Sequence, residues 1–164
     1  FLFAGTIGLN RSFILEKENG CLQGLLLAPV DRTALYFGKL ISNFVFLLIM
    51  EAFILPIFMI FFNVDLISHL LPLMYVIFVG TLGFCAIGTL LSSLSANLKT
   101  RDIMLPILLY PLIIPIIIGS VRMTGQVLAG EPLSNMANWM NLVLCFDVIY
   151  IAVSIMMIDF VLEE

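Results

Sequence analysis

The side chains in this sequence that could do chemistry are few, and none is spaced for catalysis. The single histidine, His69, follows Ser68, but no acid or nucleophile stands at a distance that would make a Ser–His pair or a zinc-hydrolase motif. Two readings of His69 stay open: a histidine at the membrane interface where a helix starts, or an axial ligand reaching haem iron from outside. Cys21, Cys85 and Cys145 show no paired or metal-type spacing, and the last two sit in apolar runs where a thiol acts as a small hydrophobe. No Gly-x-x-x-x-Gly-Lys-Ser/Thr phosphate loop occurs, so any ATP hydrolysis belongs to a separate protein. No catalytic residue, metal ligand or resident cofactor is expected. The chain does not read as an enzyme.

A second group of residues is informative because it lies within apolar sequence. Glu51 interrupts an otherwise uncharged run. A carboxyl group at the centre of a bilayer costs about 2.5–3.5 kcal/mol on insertion scales. Glu51 is therefore expected to face other helices, either protonated or hydrogen-bonded to a hydroxyl or amide on a neighbour. It is equally open to being a packing contact or a polar point in a translocation path. Asp147 and Asp159 sit about 120° apart around a helix and do not form a pair; Asp159, near the inner interface, reads as solvated. Pro106, Pro111 and Pro115 remove backbone donors and leave the carbonyls of Asp102, Ile107 and Pro111 without their usual partners, which makes a kink or a hinge. Gly88, Ser92 and Ala96 put small residues on one helix face, suited to close packing or to a homodimer seam.

The elements that carry these residues follow from composition. The 164 residues are 62% apolar and 11% charged, with net charge −4 and mean hydropathy +1.19. A soluble domain has about 25% charged residues. There is too little polar surface to cover a globule, so lipid is the expected solvent, and there is no basic patch for nucleic acid. Four runs are long enough to cross a bilayer: Leu40–Phe62, Leu70–Leu94, Ile103–Val121 and Trp139–Leu162. Phe1–Leu9 is too short and reads as the end of a fifth helix cut off upstream. The expected fold is an all-α polytopic bundle, one domain over residues 1–164, with four complete spans plus the tail of another. Polar breaks are expected at Asn63–Asp65 and Ser95–Asp102, with a longer polar loop at Arg122–Asn138. Of the 7 basic residues, Arg11, Lys17, Arg32, Lys39, Lys99 and Arg101 fall on one side and only Arg122 on the other. That bias puts the first group and the C-terminus in the cytosol, with Trp139 at the outer interface.

The segment of about residues 10–39 carries the functional signal. After Glu16-Lys17-Glu18-Asn19 and Gly20, Leu22, Leu25 and Leu26 share one face of a short helix. Pro29 stops it, and Asp31 or Thr33 can cap the next helix. Physics allows a helix lying on the lipid surface or a coupling helix gripped by a soluble ATPase.

The pattern Glu16-x-Glu18-x-Gly20-x-Leu22-Gln23-x-Leu25-Leu26-x-x-Pro29, followed by Gly38-Lys39, resembles the cytoplasmic signature of type-2 ABC exporter permeases. Phe3-Ala4-Gly5 and Leu9-Asn10-Arg11-Ser12-Phe13 narrow the resemblance to the haem exporter protein B (CcmB) family of cytochrome c maturation. Gln23 stands where many members of the family it resembles carry Glu, which argues against a required carboxylate at that position. The family has six spans, of which the first and most of the second would precede this sequence. The resemblance implies a multi-pass permease subunit of the bacterial inner membrane, coupled through Glu16, Glu18, Gly20, Leu22, Gln23, Leu25, Leu26 and Pro29 to a CcmA-like ATPase. It also implies other cytochrome c maturation membrane subunits as partners and haem as a transported or handled ligand. Two rivals remain: an exporter of another cargo, such as a lipid-linked glycan or drug, and a non-transporting scaffold for haem-delivery subunits.

Overall fold

In the computed structural model, residues 2–9, 32–62, 70–95, 101–131 and 133–161 are described. Among these there are five helices: α1 (2–9), α2 (Arg32–Phe62), α3 (Leu70–Ser95), α4 (Arg101–Leu128) and α5 (Leu133–Val161). The last four contain stretches long and apolar enough to span a bilayer: Thr33–Phe61, Leu70–Ser95, Met104–Leu128 and Asn135–Met157. Phe61 and Leu71 are 81% and 84% exposed, and Ile60 is 80% exposed. Contiguous apolar surface of this kind is tolerated only where lipid replaces water. The polytopic all-α bundle expected from composition is the fold observed.

Helix α3 is the hub. It packs against α2, α4 and α5, and Gly83 through Ser92 are buried all the way round. Its neighbours bury stripes instead. Among the described side chains of α2 only Tyr36, Leu40, Asn43 and Leu47 are buried, at steps of four, three and four. Such spacing keeps side chains on one face of a helix; Phe44, Leu55 and Met59 pack half-buried beside it, while Ile41, Phe53 and Phe61 face outward. On α4 the stripe is Leu105, Leu109, Ile113, Ile116, Met123 and Val127, and on α5 it is Met136, Val143, Asp147, Tyr150 and Ser154. Helix α1 lies in the groove between α2 and α3: Leu9 is buried, and a Cβ at Gly5 would touch Phe84 at 2.9 Å and Leu47 at 3.4 Å.

Three boundaries differ from the sequence expectation. Helix α2 starts at Arg32 rather than Leu40, because Tyr36 belongs to its buried stripe. Helix α5 starts at Leu133, six residues ahead of Trp139. The polar loop expected at Arg122–Asn138 is mostly helix, since α4 runs to Leu128. Met123 and Val127 continue the buried stripe beyond Val121, and that burial outweighs the polarity of Arg122 and Gln126. The true stop is Gly130, at φ +71°. Its N–H donates to the Val127 carbonyl at 3.1 Å, and the Glu131 N–H donates to the Gln126 carbonyl at 3.1 Å. That pair of bonds is a Schellman ending, whose left-handed residue is normally glycine.

Pro106, Pro111 and Pro115 all lie inside α4, which stays helical throughout. The phenol of Tyr150 on α5 donates to the carbonyl of Leu112, one residue past Pro111. That bond ties α5 to the proline-containing stretch of α4.

Candidate functional site

Three polar side chains of α2, Tyr36, Asn43 and Glu51, bond to α3. The Tyr36 phenol donates to the Ala86 carbonyl at 3.0 Å, and Ser154 from α5 donates to the same oxygen at 3.4 Å. The Asn43 amide donates to Thr89 Oγ1 at 3.1 Å. About two turns on, Thr81 Oγ1 donates to Glu51 Oε1 at 2.7 Å. Glu51 therefore faces the bundle and bonds to a hydroxyl on a neighbouring helix, one of the two arrangements its sequence position allowed. Its other oxygen, Oε2, is buried without a partner among the described residues.

One turn of α3, Gly80 to Gly83, is ringed by polar groups from three helices. Glu51 reaches Thr81 from α2. Ser120 on α4 lies over Gly80, where a Cβ would be 2.7 Å from its Oγ, and that Oγ also lacks a partner among the described residues. From α5, Asp147 presses its carboxylate against Gly83, so that a Cβ there would collide with Oδ1. Asp147 is only 3% exposed, and neither carboxylate oxygen has a hydrogen bond among the described residues. Acceptors of this kind inside a bilayer are costly, and they mark functional positions more often than structural ones.

Asp147 escaped the sequence reading, which weighed it only against Asp159. The signal was present: a lone carboxylate in a long apolar run, the same rule that singled out Glu51. The small-residue face of α3 is an internal contact where it is described, since a Cβ at Gly88 would meet Leu9 of α1 at 2.6 Å. Cys85 is buried and Cys145 exposed, both as free thiols. Trp139 is half-buried, with the Arg122 guanidinium 6.0 Å from its ring centre. Among the described residues no three His, Cys, Asp or Glu side chains gather as metal ligands. The coupling residues Glu16, Glu18, Gly20, Leu22, Gln23, Leu25, Leu26 and Pro29 lie outside the described residues, as do Cys21 and His69.

Replacing Thr81 with valine should lower bundle stability by about 0.6–1.7 kcal/mol, the usual range for an interhelical hydrogen bond in lipid. Unfolding in mixed micelles measures it. Thr81→Ser should restore most of the loss, because the hydroxyl rather than the methyl contacts Glu51.

A hub helix packed against its neighbours, apolar outside and polar at its centre, defines a polytopic helical membrane protein. The model of the CcmB protein family matches residues 1–163, and the chain belongs to that family. It is 29% identical over 140 residues to a protein named heme exporter protein B from Rhodobacter capsulatus, an alignment covering 83% of this chain and 64% of that protein. The chain thus spans less than two thirds of that relative's length. No solved structure matches it.

Proposed function

We propose that this chain is the permease subunit of an ABC-type complex that exports or delivers haem for cytochrome c maturation. The observation that carries this reading is the family match along essentially the whole chain. The name of the Rhodobacter relative supports the cargo. The lack of a phosphate loop supports a separate, CcmA-like ATPase. The concentration of basic residues on one side of the spans supports an inner-membrane topology with residues 10–39 and the C-terminus in the cytosol. In this scheme the ATPase grips the Leu22–Leu26 face and moves the attached α2. The Gly80–Gly83 polar turn and the prolines of α4 are where the bundle yields.

The test is to inactivate the ATP site of the co-purifying ATPase while checking that the complex still assembles. Holo-cytochrome c should fall to the level of a deletion strain. Normal holo-cytochrome c from an assembled but ATPase-dead complex would mean that the chain is a passive scaffold.

A further inference from the structure

A cavity of about 300 Å³ opens between α2, α3 and α4, beside the polar turn of α3. Its walls are apolar, built largely from Val76, Phe84, Ile113 and Ile117. Glu51 and Ser120 line it from opposite helices, and these two residues carry buried polar atoms that lack partners among the described residues, Glu51 Oε2 and Ser120 Oγ. The hydroxyls of Thr81 and Thr124 also line it, but their protons are already committed, to Glu51 Oε1 and to the Ser120 carbonyl at 2.7 Å each. Ligand pockets are typically about 300–1,000 Å³, mostly apolar, with a few polar groups that fix orientation. This cavity sits at the small end of that range.

The chemistry narrows the occupant. An anionic ligand is repelled by the Glu51 carboxyl group, and a bare metal ion finds one carboxylate and hydrocarbon instead of a ligand shell. A purely apolar molecule fills the walls but leaves the Glu51 oxygen desolvated and unpaired. A compact apolar body carrying one ammonium group meets both demands: hydrocarbon against the walls, and a charge-assisted hydrogen bond to the carboxylate. We infer that this cavity binds a small apolar molecule bearing a single protonated amine, with Glu51 as its charge partner and Ser120 as a second acceptor. This inference stands apart from haem, whose carboxylate edges the site would reject.

The experiment uses the full-length protein in lipid nanodiscs, with empty discs as background, and equilibrium binding of radiolabelled 1-adamantylamine and its neutral isostere 1-adamantanol. The amine should bind saturably and at least tenfold more tightly than the alcohol. Glu51→Gln keeps an acceptor for Thr81 and should weaken amine binding at least tenfold, while leaving the alcohol unaffected. Ile117→Trp, which fills the cavity, should remove binding of both. Equal affinity for amine and alcohol, amine binding that survives Glu51→Gln, or no saturable binding above empty discs would each overturn the assignment.

Discussion

Gly83→Ala is expected to destabilise the bundle by about 3 kcal/mol, the upper end of what an added methylene costs in a packed core. The added Cβ collides with Asp147 Oδ1, and Ile116 closes the other side. Asp147 is 3% exposed and cannot swing its carboxylate out of the way. Helix propensity pulls in the opposite direction, since alanine is about 1 kcal/mol better than glycine in a helix interior. The collision should win at Gly83 and propensity at Gly125, where a Cβ meets nothing within 4 Å. Gly125→Ala should therefore be neutral or slightly stabilising. A double-mutant cycle isolates the contact: Asp147→Ala should rescue Gly83→Ala by more than about 1 kcal/mol, well beyond the additivity of independent sites. Additive effects in that cycle would show that α3 and α5 do not meet at this point.

Leu22→Asp with Leu25→Asp is the second large effect, and it acts on assembly rather than folding. In the proposed coupling, Leu22, Leu25 and Leu26 are buried against the ATPase at about 1.5–3 kcal/mol each, and two introduced carboxylates replace that gain with a desolvation cost. Affinity for the ATPase should drop at least a thousandfold, which ends co-purification. The long spans do not depend on these residues, so membrane insertion and yield should be unchanged. The single replacement Gln23→Glu should leave co-purification intact, because the proposed grip rests on Leu22, Leu25 and Leu26. Retention of the ATPase by the double variant would overturn the proposed coupling.

How much was legible in the sequence depended on which force set each feature. The four spans were, because length and apolar composition alone decide whether a helix crosses a bilayer. The inward orientation of Glu51 was too, because a carboxyl group facing lipid is prohibitive in any fold. Helix ends were less legible. The extension of α4 to Leu128 rests on Met123 and Val127 meeting the rest of the bundle, a tertiary contact that outweighs the local polarity of Arg122 and Gln126. The partner of Asp147 was not legible at all. Its neighbour is Gly83, which carries no side-chain signal, and only the packing of α5 on α3 brings them together. The superfamily resemblance was carried by Glu16 to Pro29 and the family resemblance by Phe3–Gly5 with Leu9–Phe13, whereas the polar turn at Gly80–Gly83 emerged from the fold.

Coupling to an ATPase depends on which side of the membrane holds the Leu22–Leu26 face. With Cys85 and Cys145 replaced by serine, Cys21 is the only thiol of this chain, one residue ahead of that face. A membrane-impermeant maleimide should label it in inside-out vesicles and leave it untouched in intact cells. Labelling in intact cells would place the segment outside, beyond the reach of any ATPase, and would contradict the proposed coupling.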